Sequence, residues 1–258
     1  VLKANLIQAL TRNSFLLAIL IVLAFNLYGM CVVYGLPGIS FEGSGEPFTA
    51  WSFGTSELLF LVAPLLVTWA FSDSYFTDRQ SKFLYYQVIR STPQAVLRAK
   101  MIVSMITGGL VLFLPGLFLM ILAHLLYHPD AQSIYHLQVN LKNDNYGLLY
   151  QWHPLAYSLF PLFVHFFFGA VFAFIGFVTS LYVQKRYWIV LFPQVLYLLL
   201  AYLLESLGLF EWDPITMIMP YDAVKGSIWT LSIQYLVVFT AGCLAYRLYI
   251  HVQKNEVV

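Results

Sequence analysis

Six apolar runs, each close to the length of a bilayer crossing, constrain this chain more than any other feature. A helix rises about 1.5 Å per residue, so about 20 apolar residues cover the roughly 30 Å of bilayer hydrocarbon. The runs cover residues 15–33, 51–71, 101–127, 154–184, 187–204 and 226–246. Asn26 is the one strongly polar residue of the first, Glu57 is the one charge of the second, and the third and fourth carry no charge. A β-barrel does not fit, because barrel strands alternate apolar and polar residues over about 10 positions and the stretch from Leu16 to Phe25 does not alternate. The first run is also too long for a signal peptide and lacks a small-residue cleavage site, so it is read as a span. The expected fold is all-α, a single polytopic transmembrane domain over residues 1–258.

Composition agrees. Charged residues make up 10% of the chain and apolar residues 60%, against about 25% charged in an average soluble domain. With a mean hydropathy of +0.77, a water-soluble globule could not hide its apolar surface. This excludes an ordinary soluble enzyme, a disordered tail and a nucleic-acid binder, and the net charge of +1 offers no field to attract polyanions.

The positions of the charges orient the spans. With six crossings both termini share one side. That side holds Lys3, Arg12, Arg79, Lys82, Arg90, Arg98, Lys100, Lys185, Arg186, Arg247 and Lys254, eleven basic residues against Lys142 and Lys225 opposite. Basic loops stay in the cytoplasm, so both termini are expected there, in a multi-pass protein of the cell membrane. Glu42, Glu46, Asp130, Asp144, Glu211, Asp213 and Asp222 fall outside. Tryptophans favour the interface; Trp51, Trp152, Trp212 and Trp229 fall near outer span ends, and Trp69 and Trp188 near inner ones.

Between the spans, residues 1–13 put Leu2, Leu6, Ala9 and Leu10 on one helical face and Lys3, Asn5, Gln8 and Arg12 on another, which predicts an amphipathic helix on the inner surface. Residues 128–152 form the main outer loop. Residues 205–225 are half apolar but broken by Pro214 and Pro220, which predicts short re-entrant or interfacial helices that do not cross. Cys31 and Cys243 lie in apolar runs near opposite ends of the bilayer, so no disulfide is expected. No P-loop, H-E-x-x-H or G-x-S-x-G motif is present. The six histidines are scattered and no metal site is expected.

The inner loop of residues 72–100 carries the most information. Thr92-Pro93 is a helix start, because the hydroxyl caps and proline suits the first turn. Phe83, Leu84 and Tyr85 open an apolar stretch set among Arg79, Lys82, Arg90, Arg98 and Lys100. A short helix with exposed apolar and basic residues suits docking onto a soluble partner, and equally suits lying on lipid headgroups.

In these features the chain resembles the permease subunits of ATP-binding-cassette exporters of the type-2 permease family. The resemblance rests on the N-terminal interfacial helix, the six spans, the interrupted segment before span six, and the inner loop with Asp78, the stretch from Phe83 to Ile89, Pro93 and Lys100. It implies a membrane path for a hydrophobic or amphipathic substrate such as a peptide, drug or lipid. It also implies two separate ATPase subunits that bind ATP and magnesium, a second permease chain, identical or related, and no cofactor or catalytic activity in this chain. Coupling to the ATPase would run through Asp78, Arg79, Phe83, Leu84, Tyr85, Arg90, Thr92, Pro93, Arg98 and Lys100. Three residues at membrane depth are candidates for the substrate path. Glu57 lies 15 residues from Ser72, about 22 Å up; Glu205 lies near the outer headgroups; His165 is deep in span four, where a hydrogen-bonded packing role competes. An intramembrane lipid-modifying enzyme and a non-transporting immunity or scaffold protein are the alternatives. The enzyme would need a convergent polar cluster, for which spans three to six offer little.

Overall fold

The computed structural model describes residues 1–35, 47–56, 58–127, 154–219 and 227–256. Its helices are α1 (Leu2–Leu10), α2 (Asn13–Tyr28), α3 (Pro47–Ser56), α4 (Leu59–Phe71), α5 (Ser74–Gln80), α6 (Phe83–Arg90), α7 (Pro93–Leu126), α8 (Pro154–Tyr182), α9 (Arg186–Ser206) and α10 (Ile228–Glu256). A π-helical turn, Gly29–Tyr34, extends α2. No strand occurs among the described residues. Among the described residues, six segments are long and apolar enough to cross a membrane: Asn13–Val32, Leu59–Gln80, Pro93–Leu126, Leu159–Tyr182, Arg186–Ser206 and Ile228–Val252. The protein is therefore an all-α, multi-pass membrane protein in architecture.

The central helix is α8, which packs against α4, α7, α9 and α10. Its closest neighbour is α7. There a Cβ on Gly108 would stand 2.6 Å from the Gly169 carbonyl oxygen, and one on Gly169 would collide with the Gly108 carbonyl. Two small residues thus let the backbones touch, the usual means of tight helix packing where no hydrophobic effect drives association. Ser72 and Ser104 both donate to the Ala173 carbonyl, at 2.9 and 3.2 Å, and tie α4, α7 and α8 at one level. Beyond this core, α10 packs on α8 but exposes most of its apolar surface, including Trp229, Leu236, Leu244 and Leu248.

The second span, expected to be unbroken over 51–71, is interrupted. α3 ends at Ser56 and α4 starts at Leu59 after a turn at Leu58. The two pieces share α2 and α7 as neighbours and differ in the rest: α3 also packs against the π-helical turn, whereas α4 also packs against α8 and α9. Trp51, expected at the interface, is instead fully buried and donates to the Gly116 carbonyl at 2.9 Å. Inside α4, Pro64 lacks an N–H and disturbs the helix. The Gln194 amide reaches in from α9, donating to Leu61 O at 2.6 Å and accepting from Leu65 N at 3.1 Å. It bridges two groups one turn apart that a regular helix would bond to each other.

The inner segment 72–100 is not an extended loop. It consists of α5, α6 and the first two turns of α7, which starts at Pro93, where Thr92-Pro93 predicts a helix start, and runs unbroken into the third apolar run. The reason is an amphipathic start. Val96, Leu97, Ala99 and Lys100 turn inward and are buried, while Gln94 and Arg98 stay exposed. The last helix likewise continues past Tyr246, and Tyr249 on the extension exchanges a hydroxyl hydrogen bond of 3.1 Å with Tyr75. α1 docks through Leu6 and Ala9 beside Phe71 and Val103, leaving Leu2, Ile7 and Leu10 exposed as an interfacial helix requires.

The segment after α9 forms two 3-10 turns, Phe210–Trp212 and Pro214–Met217, and then dips into the bundle. Met217, Ile218 and Met219 are buried against the core around Val22, Leu112 and Tyr197. This is the re-entrant, non-crossing segment expected before the last span. Pro220, most of the first outer loop expected over residues 34–50, and the main outer loop expected over residues 128–152 lie outside the described residues.

Candidate functional site

The basic end of the bundle is held by two buried carboxylates, one at the α4–α5 corner and one inside α5. Asp73 is 1% exposed. It accepts from both ends of the Arg12 guanidinium at 2.6 and 3.0 Å, and from Arg186 Nε at 2.7 Å. Arg12 stands between α1 and α2, and Arg186 opens α9. One carboxylate thus joins three corners of the chain. A forked guanidinium on a carboxylate is among the stronger ionic contacts.

Asp78 does the same for the inner helices. Its Oδ2 accepts from Lys100 Nζ at 2.5 Å and from Gln87 Nε2 at 3.0 Å, joining α5, α7 and α6. Lys100 is fully buried. Phe71 lies between the two ionic groups, its ring centre 6.0 Å from Arg12 Cζ and 5.9 Å from Lys100 Nζ. Charges at this depth are costly unless paired, and here each has its partner.

On this base stands α6, entered through Lys82 in the left-handed region at φ 59°. Left-handed backbone at a non-glycine residue occurs where tight turns demand it, and here it reverses the chain between α5 and α6. Leu84 packs inward beside Tyr75 and Leu97. Phe83, Tyr85, Tyr86 and Ile89 project outward, 47 to 68% exposed. An open groove of about 500 Å³ is lined by Arg79, Lys82, Leu84, Tyr85, Tyr86 and Val88. At its far end Thr92 caps α7 by accepting from Ala95 N at 3.3 Å, with Pro93 in the first turn.

The sequence-derived coupling residues therefore divide in two. Asp78 and Lys100 meet as an internal fastener and present nothing to a partner. Arg79, Phe83, Tyr85, Thr92, Pro93 and Arg98 are exposed, and Leu84 is half-buried between the groups. Arg90 ends α6, and its side chain lies outside the described residues. Tyr86 and Ile89 belong to the exposed face as well, visible in sequence as neighbours in the same apolar stretch. Nothing in the sequence pattern marks Arg12, Asp73, Gln87 and Arg186 as parts of this site. The charges were legible, but pairings 61 and 113 residues apart were not.

Two of the three substrate-path candidates are described, and they differ in setting. His165 is fully buried, its Nε2 3.0 Å from the Ile218 carbonyl and its ring 5.7 Å from Trp51, as a packing residue that pins the re-entrant segment. Glu205 is exposed near the end of α9. Glu57 lies outside the described residues. Among the described residues no three His, Cys, Asp or Glu side chains converge as metal ligands. No protein-family model, curated protein or solved structure matches the chain.

Proposed function

We propose that this chain is the membrane-spanning permease subunit of an ATP-binding-cassette exporter, residing in the cell membrane with both termini in the cytoplasm. The observation that carries the reading is α6. This short helix projects Phe83, Tyr85, Tyr86 and Ile89 beside the exposed Arg79 and Lys82 of the preceding helix and turn, while being fastened to α5 and α7 through Asp78. A mixed apolar and charged surface on a rigid mount suits a protein interface that must transmit force. The orientation is supported by the basic asymmetry of the sequence.

In this function two ATPase subunits dock on α6 of two permease chains. ATP-driven closure of the ATPases moves α6 and α5 as one body. The Asp78–Lys100 pair passes the displacement to α7, and the Arg12–Asp73–Arg186 cluster passes it to α2 and α9. The spans then re-pack between two discrete arrangements, moving a hydrophobic or amphipathic substrate outward. ATP hydrolysis belongs to the partner, and this chain performs no covalent chemistry. Affinity purification of the intact chain from its own membranes tests the proposal: an ATPase subunit should copurify in near-equal amount, and its consistent absence would contradict the function.

A further inference from the structure

A cleft of about 570 Å³ opens among α8, α9 and α10, lined by Val178 and Thr179, by Phe192 and Leu196, and by Val238 and Ala241. Ligand pockets typically fall in this volume range. α9 and α10 each pack against α8, which forms the cleft's base. Its hydroxyls are already committed: Thr179 donates to Ile175 O at 2.9 Å, and Tyr182 donates to Ala245 O at 2.5 Å. With no charged side chain and no free hydroxyl in its lining, the cleft offers an occupant dispersion contacts and little else, so that occupant is hydrocarbon. An empty trough would forfeit those contacts.

Position and charge narrow the occupant further. From the α8–α9 turn at Lys185 the cleft reaches Ile175 on α8 and Leu200 on α9. Those are about 15 and 22 Å from the turn at 1.5 Å per residue, against roughly 15 Å for half of the hydrocarbon core. An acyl chain whose headgroup sits at the turn has that reach. The turn itself is cationic. Lys185 is exposed, two residues from the cleft-lining Val183, and Arg186 is 56% exposed although its Nε holds Asp73.

We propose that this cleft binds one acyl chain of an anionic phospholipid from the leaflet at the basic end, with Lys185 at the headgroup. The site is independent of whether the protein transports anything.

The test is native mass spectrometry of the full chain, delipidated in detergent and titrated with dioleoylphosphatidylglycerol or dioleoylphosphatidylcholine. The wild type should retain one phosphatidylglycerol in preference to phosphatidylcholine. Lys185→Gln should reduce that preference about fivefold, the effect of one cation near a charged headgroup. Ala241→Trp, which fills the cleft, should weaken retention of both lipids roughly tenfold, as loss of about two buried methylenes does. Ala241→Leu, a smaller change at an exposed position, should weaken both lipids less, and it carries the test if the indole disturbs folding. Equal retention of the two lipids by the wild type, or unchanged retention in the cleft variants, would overturn the proposal. So would a lipid-free dimer that Ala241→Trp dissociates, because a second copy would then fill the cleft.

Discussion

Asp78 shows how a single residue can look like a contact point in sequence and act as a fastener in structure. An acidic residue on a basic, amphipathic inner segment reads as surface. In the fold it is 5% exposed and shared between Lys100 and Gln87. Removing one member of a buried pair leaves the other charge uncompensated, at a cost of about 3–5 kcal/mol. Asp78→Ala should therefore lower the thermal unfolding midpoint strongly in detergent, and Asp78→Leu combined with Lys100→Met should recover most of the loss. If the double variant is as unstable as the single, the pair is not the coupled unit described here. Gln194 makes a second case. It satisfies Leu61 and Leu65 where Pro64 disturbs α4, so Gln194→Leu should cost about 1–3 kcal/mol through two unsatisfied backbone groups. A change within a few tenths would mean that the helix closes on itself.

At the scale of elements, the spans were legible because hydrocarbon thickness fixes their length and few charges interrupt them. Thr92-Pro93 was legible because capping chemistry is local. The break at Leu58 was not: no proline or glycine marks it, and what distinguishes its two sides is tertiary, the π-helical turn beside α3 and the helices α8 and α9 beside α4. What was not legible is that the helix started by Thr92-Pro93 runs without a break into the third apolar run, because Gln94, Arg98 and Lys100 interrupt the apolar pattern that marks a span. The re-entrant segment was legible from its prolines, but its anchor was not. Asp213 Oδ1 accepts from Ile215 N at 2.9 Å, and Gln234 donates to Glu211 O at 3.2 Å. Burial raises the Asp213 pKa, with nearby Glu205 adding to it and the Ile215 N–H opposing it. The folded state thus favours the neutral acid, and stability declines as pH rises through the raised pKa. Asp213→Asn keeps a cap oxygen and removes the charge, so it should be neutral or stabilising at pH 7 and flatten this pH dependence. Asp213→Ala should cost about 1 kcal/mol through the lost cap. Equal melting of the two variants at pH 7 would show that the cap does not hold the segment.

For the whole molecule, the unequal packing of the spans matters most. α8 is enclosed on nearly all sides, whereas α10 is largely exposed to what would be lipid or another chain. A rigid centre with a loosely held outer helix suits a permease that re-packs against a second copy. Six crossings with a basic end require the C-terminus to share the side of α6. A phosphatase reporter fused after Val258 should be inactive in intact cells and a cytoplasmic reporter active; the reverse pattern would invert the assignment and remove α6 from the reach of any cytoplasmic ATPase. Given that topology, the central claim is that α6 receives the ATPase. The most direct measurement is ATP hydrolysis and subunit retention in the reconstituted complex carrying Phe83→Ser, Leu84→Ser and Tyr85→Ser. The triple variant should release the ATPase, or hydrolyse ATP without transport, with the permease unfolding transition lowered only modestly. A variant that keeps its ATPase and transports at the wild-type rate would contradict the claim.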